Sequence, residues 1–344
     1  MSNRTPRVAL FGELLLRLTT PGYQRIVQAK SFTANYTGGE ANAGALLSCL
    51  GVDASLIAAV PENEIGQACL NEMRRFGMDT RHVLRRGPRL GTLYVETGAA
   101  QRQSKVVYDR HGSSFSQLKI GDFNWQQVLA DVDWLHFTGT APALSPQLAE
   151  LTIEGCQIAK SLGKTVSCDL NYRSTLWTID EARAVFQRIA PYLDVLIANE
   201  EHARLLLDAP AANFKCPENV FEAAAYQPST QWLRSKYGVQ QVALTIRTGA
   251  TSDETTFAAL VDDGQASYLS RIHHSRVVDR IGSGDAFTGA LIYGVLKNWD
   301  LPRRVEFAAA AAAIKNSILG DFCLASFEEI WTVAEGASAG RVSR

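Results

Sequence analysis

The residues best suited to chemistry lie in one stretch, Asp279-Arg280-Ile281-Gly282-Ser283-Gly284-Asp285-Ala286-Phe287-Thr288-Gly289-Ala290. A polar turn with two glycines runs into an apolar, helix-like segment, and a carboxylate marks the junction. Gly282 and Gly284 reach backbone angles closed to other residues, so the N–H groups around Gly282, Ser283 and Gly284 can face one concavity. A helix starting near Asp285 adds its partly positive N-terminus to the same spot. Such a place suits a phosphoryl group, with Asp285 set to accept the proton of whatever attacks phosphorus. The plainer reading is a glycine turn whose Asp caps a helix, so the rest of the chain has to decide.

The elements that must position this stretch can be read from periodicity. Short apolar, β-branched runs recur at Val8 to Phe11, Ser55 to Ala59, Trp134 to Phe137, Thr165 to Cys168, Val195 to Ala198 and Val242 to Ile246. Helix-period stretches such as Ala41 to Leu50, Pro146 to Leu162 and Ile179 to Ile189 separate most of them. Continuous apolar strands alternating with helices predict an α/β fold with a mainly parallel sheet flanked by helices. Residues Glu13 to Tyr36 and Gly91 to Tyr108 instead alternate polar and apolar positions, which predicts exposed antiparallel strands. Paired, they would make a small β-flap, or lid, over the cleft that forms at the carboxyl ends of parallel strands. A flap there keeps water from competing as a nucleophile. Ala209 to Ser229, rich in Ala and Pro, reads as an irregular insertion.

Bulk composition excludes several classes. A formal charge of −1 gives no electrostatic reason for nucleic acid or an acidic membrane as partner. Cys49, Cys69, Cys156, Cys168, Cys216 and Cys323 include no C-x-x-C pair, so reduced, mostly buried thiols are expected rather than zinc or a disulfide framework. No cleavable signal pattern is read at the N-terminus, and Ala308 to Ala313 is too short to cross a bilayer, so a cytoplasmic protein is expected. Neither H-E-x-x-H nor a P-loop lysine motif occurs. His136, inside an apolar strand, reads as a satisfied core residue.

Asp279 to Ala290 resembles the C-terminal signature of the ribokinase-like (PfkB) carbohydrate kinases, with Ser283 where Ala is usual. Thr37-Gly38-Gly39-Glu40-Ala41-Asn42-Ala43 resembles the family's N-terminal Gly-Gly/Asn motif, and the likeness continues through Leu50-Gly51, Gly66 and Phe76-Gly77-Met78-Asp79-Thr80. Within that family, Tyr108-Asp109-Arg110-His111-Gly112-Ser113-Ser114 and Asp169-Leu170-Asn171-Tyr172-Arg173-Ser174-Thr175-Leu176-Trp177 are similar to segments of 2-keto-3-deoxygluconate kinases. Gly320-Asp321 falls where those carry a Gly-Asp pair. The resemblance implies one ribokinase-like domain over residues 1–336, lid strands from roughly 13–37 and 90–112, and a flexible tail over 337–344. It implies ATP-dependent phosphorylation of 2-dehydro-3-deoxy-D-gluconate at its 6-hydroxyl, with Mg²⁺ and room for a monovalent cation such as K⁺. A homo-oligomer, dimer or higher, is expected from the exposed flap.

On this resemblance Asp285 is the general base, supported by Gly282, Ser283 and Gly284. Gly38, Gly39, Asn42, Tyr94, Tyr108, Arg110, Arg173 and Asp321 are expected around the sugar acid. Arg110 and Arg173 carry the most meaning, because a guanidinium fork binds a carboxylate that a neutral sugar lacks. Asn171, Asn199, Thr245, Arg247 and Gly249 are expected on the ATP side with Gly282 and Gly284. Where the family often has Asn-x-x-Glu, this chain reads Asn199-Glu200-Glu201-His202, so no metal ligand is assigned. A kinase for a neutral sugar and a catalytically silent sugar-acid sensor are the competing expectations.

Overall fold

The computed structural model describes residues 5–214, 220–248 and 251–336. The chain opens with β1 (Arg7–Phe11) and continues through lid strands β2 (Leu15–Thr19) and β3 (Thr33–Thr37) into α1 (Gly39–Cys49). Then come β4 (Asp53–Val60), α2 (Glu64–Arg75), β5 (Asp79–Arg85), and lid strands β6 (Gly91–Glu96) and β7 (Lys105–Asp109). A short α3 (Trp125–Val128) precedes the alternation of β8 (Trp134–Thr138), α4 (Pro146–Ser161), β9 (Thr165–Asp169), α5 (Ile179–Ile189), β10 (Val195–Asn199) and α6 (Glu200–Leu207). Helix α7 (Ala223–Tyr237) leads to β11 (Gln241–Thr248), β12 (Glu254–Asp262), β13 (Ser267–Leu269) and β14 (His273–Arg276). Helices α8 (Ser283–Leu296), α9 (Leu301–Lys315) and α10 (Phe327–Ala334) close the chain.

The main sheet runs β13-β12-β11-β10-β9-β8-β1-β4-β5, with β14 also pairing β12. From β11 to β5 every neighbouring pair is parallel; β12, β13 and β14 extend it antiparallel. Strands such as Val8–Phe11 and Val195–Ala198 are buried on both faces, which is why they read as unbroken apolar runs. Helix α8 packs against α1 and α9. The alanines 308–313 let α9 approach closely, five of the six having no exposed surface. No helix among the described residues is long and apolar enough to cross a membrane.

Two expectations need correction. The lid is a separate sheet of order β3-β2-β6-β7, but its central pair, β2 with β6, is parallel. The reason is connectivity: β2 continues β1 and β6 continues β5, and β1 and β5 already run the same way in the main sheet. The second correction is to the stretch Ala209 to Ser229, whose latter part opens the helix α7 despite Pro228. Tyr226, Ser229, Thr230, Leu233 and Tyr237 are buried at helical spacing, and that stripe outweighs the local Ala/Pro signal. Residues 337–344, expected as a tail, lie outside the described residues.

The buried side chain of His136 accounts for a stability prediction. Trp134 Nε1 donates to Ser167 Oγ at 2.7 Å, and the same hydroxyl lies within hydrogen-bond distance of His136 Nδ1 at 2.8 Å. Burial pushes His136 down to about 3. In the unfolded chain the same histidine binds its proton near its ordinary value, so stability is intact above about pH 6.5 and is drained as pH falls towards 3. The full difference is on the order of 5 kcal/mol. Urea denaturation between pH 7 and pH 4 is expected to show a steeper loss for the wild type than for His136→Asn, and parallel curves would refute the assignment.

Candidate active site

Glycine geometry sets the turn that leads into α8. Gly282 caps α8 in the left-handed region at φ 89°, and a Cβ there would lie 2.0 Å from the carbonyl oxygen of Asp321. Only glycine allows that approach. The Ser283 N–H leans back towards Arg280 O at 3.4 Å, whereas the amides of Gly284 and Asp285 have no protein acceptor among the described residues. Two donors at a helix N-terminus therefore face the cleft unspent. Gly38 fixes the opposite wall, because a Cβ on it would meet Glu13 O at 2.4 Å.

The turn is braced from beneath by buried charge. Asp279 accepts from Ile281 N (3.1 Å) with one carboxylate oxygen, and from Arg17 Nη2 (2.6 Å) and Gly320 N (3.1 Å) with the other. Arg17, only 2% exposed, also pairs with Asp321. Burial pulls the Arg17 guanidinium down, but Asp321 and Asp279 more than offset it and hold it above its ordinary value. Asp321 in turn accepts from Thr37 Oγ1, which lies 2.9 Å from Asn42 Oδ1, and Asn42 Nδ2 donates to Asp285 Oδ2 at 2.7 Å. Asp285 is thus oriented by a chain of contacts that begins in the lid strand β2.

A cleft of about 840 Å³ opens above Asp285 at the carboxyl ends of β8 to β11. It brings together Gly38, Gly39, Asn42, Tyr108, Arg110, Asn171, Arg173, Asn199, Thr245, Arg247, Gly282, Gly284, Asp285 and Asp321. Burial raises Asp285 to about 7; Asn42 opposes the rise, and Asp169, Glu40 and Asp321 add to it. Glu40 is raised to about 7 by burial, against the opposing bond from Thr138 N. Asp169, at the end of β9, is also raised by burial.

The two arginines expected to read an acid differ. Arg110 is buried, gives Nε to Glu13 at 2.5 Å, and stacks over Tyr108 at 5.6 Å. Arg173 has no side-chain hydrogen bond or ion pair among the described residues. Its neighbour His202 is pushed down to about 4, first by burial and then by Arg173, and so stays neutral. Across the cleft floor Arg247 lies close enough to the turn that a Cβ on Gly284 would come within 2.9 Å of its Nη2.

Some expected residues take other places. Tyr94 does not line the cleft: Leu93 pairs with Tyr108 and shares its inward face, so Tyr94, one residue on, points outward. There its ring meets Phe32 edge to face at 5.8 Å. Ser283 is buried beside a smaller adjoining cavity that Asn316 also lines. Asp321 lines the cleft, with its two carboxylate oxygens on Arg17 and Thr37. Asn199 Oδ1 caps α6 by accepting from His202 N at 2.7 Å. Gly249 lies outside the described residues. Sequence reasoning passed over Glu13, Arg17, Glu40, Asp169 and Arg280, and a charged residue in an apolar run was the available signal for Glu13 and Arg17.

No group of three or more His, Cys, Asp or Glu among the described residues is arranged to hold a metal ion. Glu200 and Glu201, in the first turn of α6, line the cleft, and Glu201 is exposed with no side-chain partner among the described residues. One or two carboxylates of this kind suit a magnesium ion that keeps most of its water or phosphate ligands.

The model of the pfkB family of carbohydrate kinases matches residues 5–317. A 2-dehydro-3-deoxygalactonokinase of Haloferax volcanii is 29% identical over 336 residues, 98% of this chain and 99% of its own. A 2-dehydro-3-deoxygluconokinase of Bacillus subtilis is 25% identical over 314 residues, covering 90% of each. The crystal structure of a 2-dehydro-3-deoxygluconokinase from Thermotoga maritima superposes with a TM-score of 0.92 at 39% identity, covering 96% of this chain and all of that one.

The electrostatics of the floor give a sign that can be checked. A carboxyl raised to about 7 when folded and near 4 when unfolded costs stability progressively as pH rises through that window, in full above 7. Asp285→Asn is therefore expected to melt higher than the wild type at pH 8, with the gap closing towards pH 4. Equal melting temperatures at both pH values would contradict the raised pKa.

Proposed function

The chain belongs to the pfkB family of carbohydrate kinases, and from that premise we propose that it transfers the terminal phosphoryl group of ATP to the 6-hydroxyl of a 2-dehydro-3-deoxy sugar acid, with 2-dehydro-3-deoxy-D-gluconate as the principal substrate. The products are ADP and the 6-phosphorylated acid. One observation carries this reading: Arg173, with no side-chain hydrogen bond or ion pair among the described residues, and Asp285, beside two unspent amides, line the same cleft. The names of the relatives span gluconate and galactonate forms. Both share a carboxylate and a terminal hydroxyl, the two groups these residues address.

In the proposed reaction Asp285 accepts the proton of the 6-hydroxyl as its oxygen closes on the γ-phosphorus and the bond to the β-phosphate oxygen of ADP breaks. In a loose transition state that proton leaves late, so hydrogen-bond reach matters more than strong basicity. The Gly284 and Asp285 amides meet the charge that gathers on the transferring oxygens, and Arg247 and Arg280 flank the same anion. Magnesium bound with ATP would neutralise phosphate charge, and Asn199, Glu200 and Glu201 are the donors that fit it. Arg173 holds the carboxylate end, with Tyr108 offering a ring face and Arg110 lending a charge already shared with Glu13. The lid limits the access of water, the competing acceptor.

A panel of sugars and sugar acids, read by ADP release, separates this from a neutral-sugar kinase. Arg173→Ala is expected to raise KM for the acid about 100-fold while leaving any weak neutral-sugar turnover unchanged. Preference for fructose or ribose in the wild type would overturn the acid reading. Asp285→Asn is expected to lower kcat about 10²- to 10⁴-fold with little change in sugar binding. Turnover should also fall on the acid side with an apparent pKa near 7, and Asn42→Ala should move that limb upward, since the lost hydrogen bond favoured the carboxylate.

The same reading extends to assembly, through the outer lid face where Phe32, Tyr94 and Val107 form a partly wet apolar strip. Two copies pairing there would cover it, and Val107→Glu should then shift sedimentation towards a single chain.

A further inference from the structure

Lys315, the last residue of α9, has no exposed surface. Its Nζ donates to two main-chain carbonyls, Asp279 O at 3.0 Å and Ile318 O at 3.1 Å, and no carboxylate lies within ion-pair distance of it among the described residues. Those carbonyls belong to the two segments that build the catalytic turn. Asp279 opens the turn, and the loop after Ile318 carries Asp321, whose carbonyl packs directly beneath Gly282. Val278 N and Asp279 N also bond to Asn316 O, at 2.7 and 3.2 Å, so the end of α9 and the start of the turn are stitched along their backbones.

A neutral donor could satisfy these carbonyls, but it would leave the local charge unbalanced. Asp279 and Asp321 are both buried here, and Arg17 supplies only one of the two positive charges they require. Lys315 supplies the other. An ammonium among inward-facing carbonyls is chemically close to a bound K⁺ or NH₄⁺ ion, except that a four-carbon stem fixes it in place. The end of a helix, where unpaired carbonyls gather, favours such a cation.

We propose that Lys315 is a positioning residue whose tethered ammonium serves as a built-in monovalent cation for the catalytic turn, so that turnover needs no free K⁺. The resemblance admits a monovalent cation; beside this turn, the two carbonyls that face inward already hold Lys315. The proposal rests on the turn being the phosphoryl site.

The test measures ADP directly, because common coupling enzymes themselves require K⁺. It uses whichever carbohydrate the wild type phosphorylates, so a wrong substrate class and a wrong role for Lys315 give different results. Wild-type kcat is expected to change less than about twofold between potassium chloride and tetramethylammonium chloride at equal ionic strength. Lys315→Ala is expected to lose about 10- to 100-fold in kcat through a misplaced turn, with KM for the sugar little changed. Ammonium or potassium ions, small enough to enter the space left behind, should restore at least about fivefold of that loss, and tetramethylammonium should not. Manyfold activation of the wild type by K⁺ would overturn the proposal. So would a folded Lys315→Ala protein with wild-type turnover in K⁺-free buffer, or a loss that no small cation relieves. Should the Ala variant fail to fold, the wild-type comparison decides alone: indifference supports the proposal and activation defeats it.

Discussion

The turn ahead of α8 depends on an ionic cluster almost wholly withdrawn from water, with only the edge of Asp321 lining the cleft. Removing two cations and two carboxylates from solvent is expensive, and it is tolerated only where each charge finds its opposite and its remaining hydrogen bonds. Asp279 meets that condition with acceptor contacts to Arg17, Ile281 N and Gly320 N, while its own carbonyl receives Lys315. Because so many of its partners are backbone atoms of the turn and its neighbours, the cluster fixes main-chain position as well as side chains. The amides of Gly284 and Asp285 are then held in place before any anion arrives, which is the arrangement that makes such donors effective. Arg17 stands in lid strand β2, so its ion pairs tie the root of the lid to the turn.

The floor above that cluster is electrostatically strained in the other direction. Glu40, Asp169 and Asp285 crowd together without enough local positive charge, and burial raises all three. A structure optimised only for stability would have relieved this. The strain has a use, since a base near neutrality can both take a proton and release it. Asn42 limits the excess by donating to Asp285. The positive charge that would relieve the floor belongs in part to groups set for ligands, Arg173 and Arg247.

How much of this was legible in the sequence follows from the range of each interaction. The turn could be read because its glycines, its Asp and its helix are consecutive, and the strands could be read because burial on both faces leaves unbroken apolar runs. The lid was legible as alternation, but a single strand does not say which face is inward. Tyr94 and Tyr108 look equivalent in the sequence, and only the pairing of Leu93 with Tyr108 separates them. Arg110 gave no sign that Glu13, 97 positions away, would share its charge. Lys315 was visible only as a charge closing an alanine run, which reads as an ordinary helix end. Its meaning comes from carbonyls contributed by two other segments.

The contrast between the two pocket arginines bears on selectivity. A guanidinium already paired with a buried carboxylate gains less from a second anion than one that is unpaired, because part of its charge is spent. Arg110 is in the first situation and Arg173 in the second, so discrimination for an acid should be concentrated at Arg173. The neutral His202 reinforces this. A carboxylate at that position would stand beside Arg173 and compete with the ligand, whereas a histidine held down to about 4 packs edge to face on Tyr172 and adds no negative charge beside the guanidinium. The departure from the Asn-x-x-Glu pattern thus removes a competing charge beside Arg173 and leaves that arginine available to an acidic ligand.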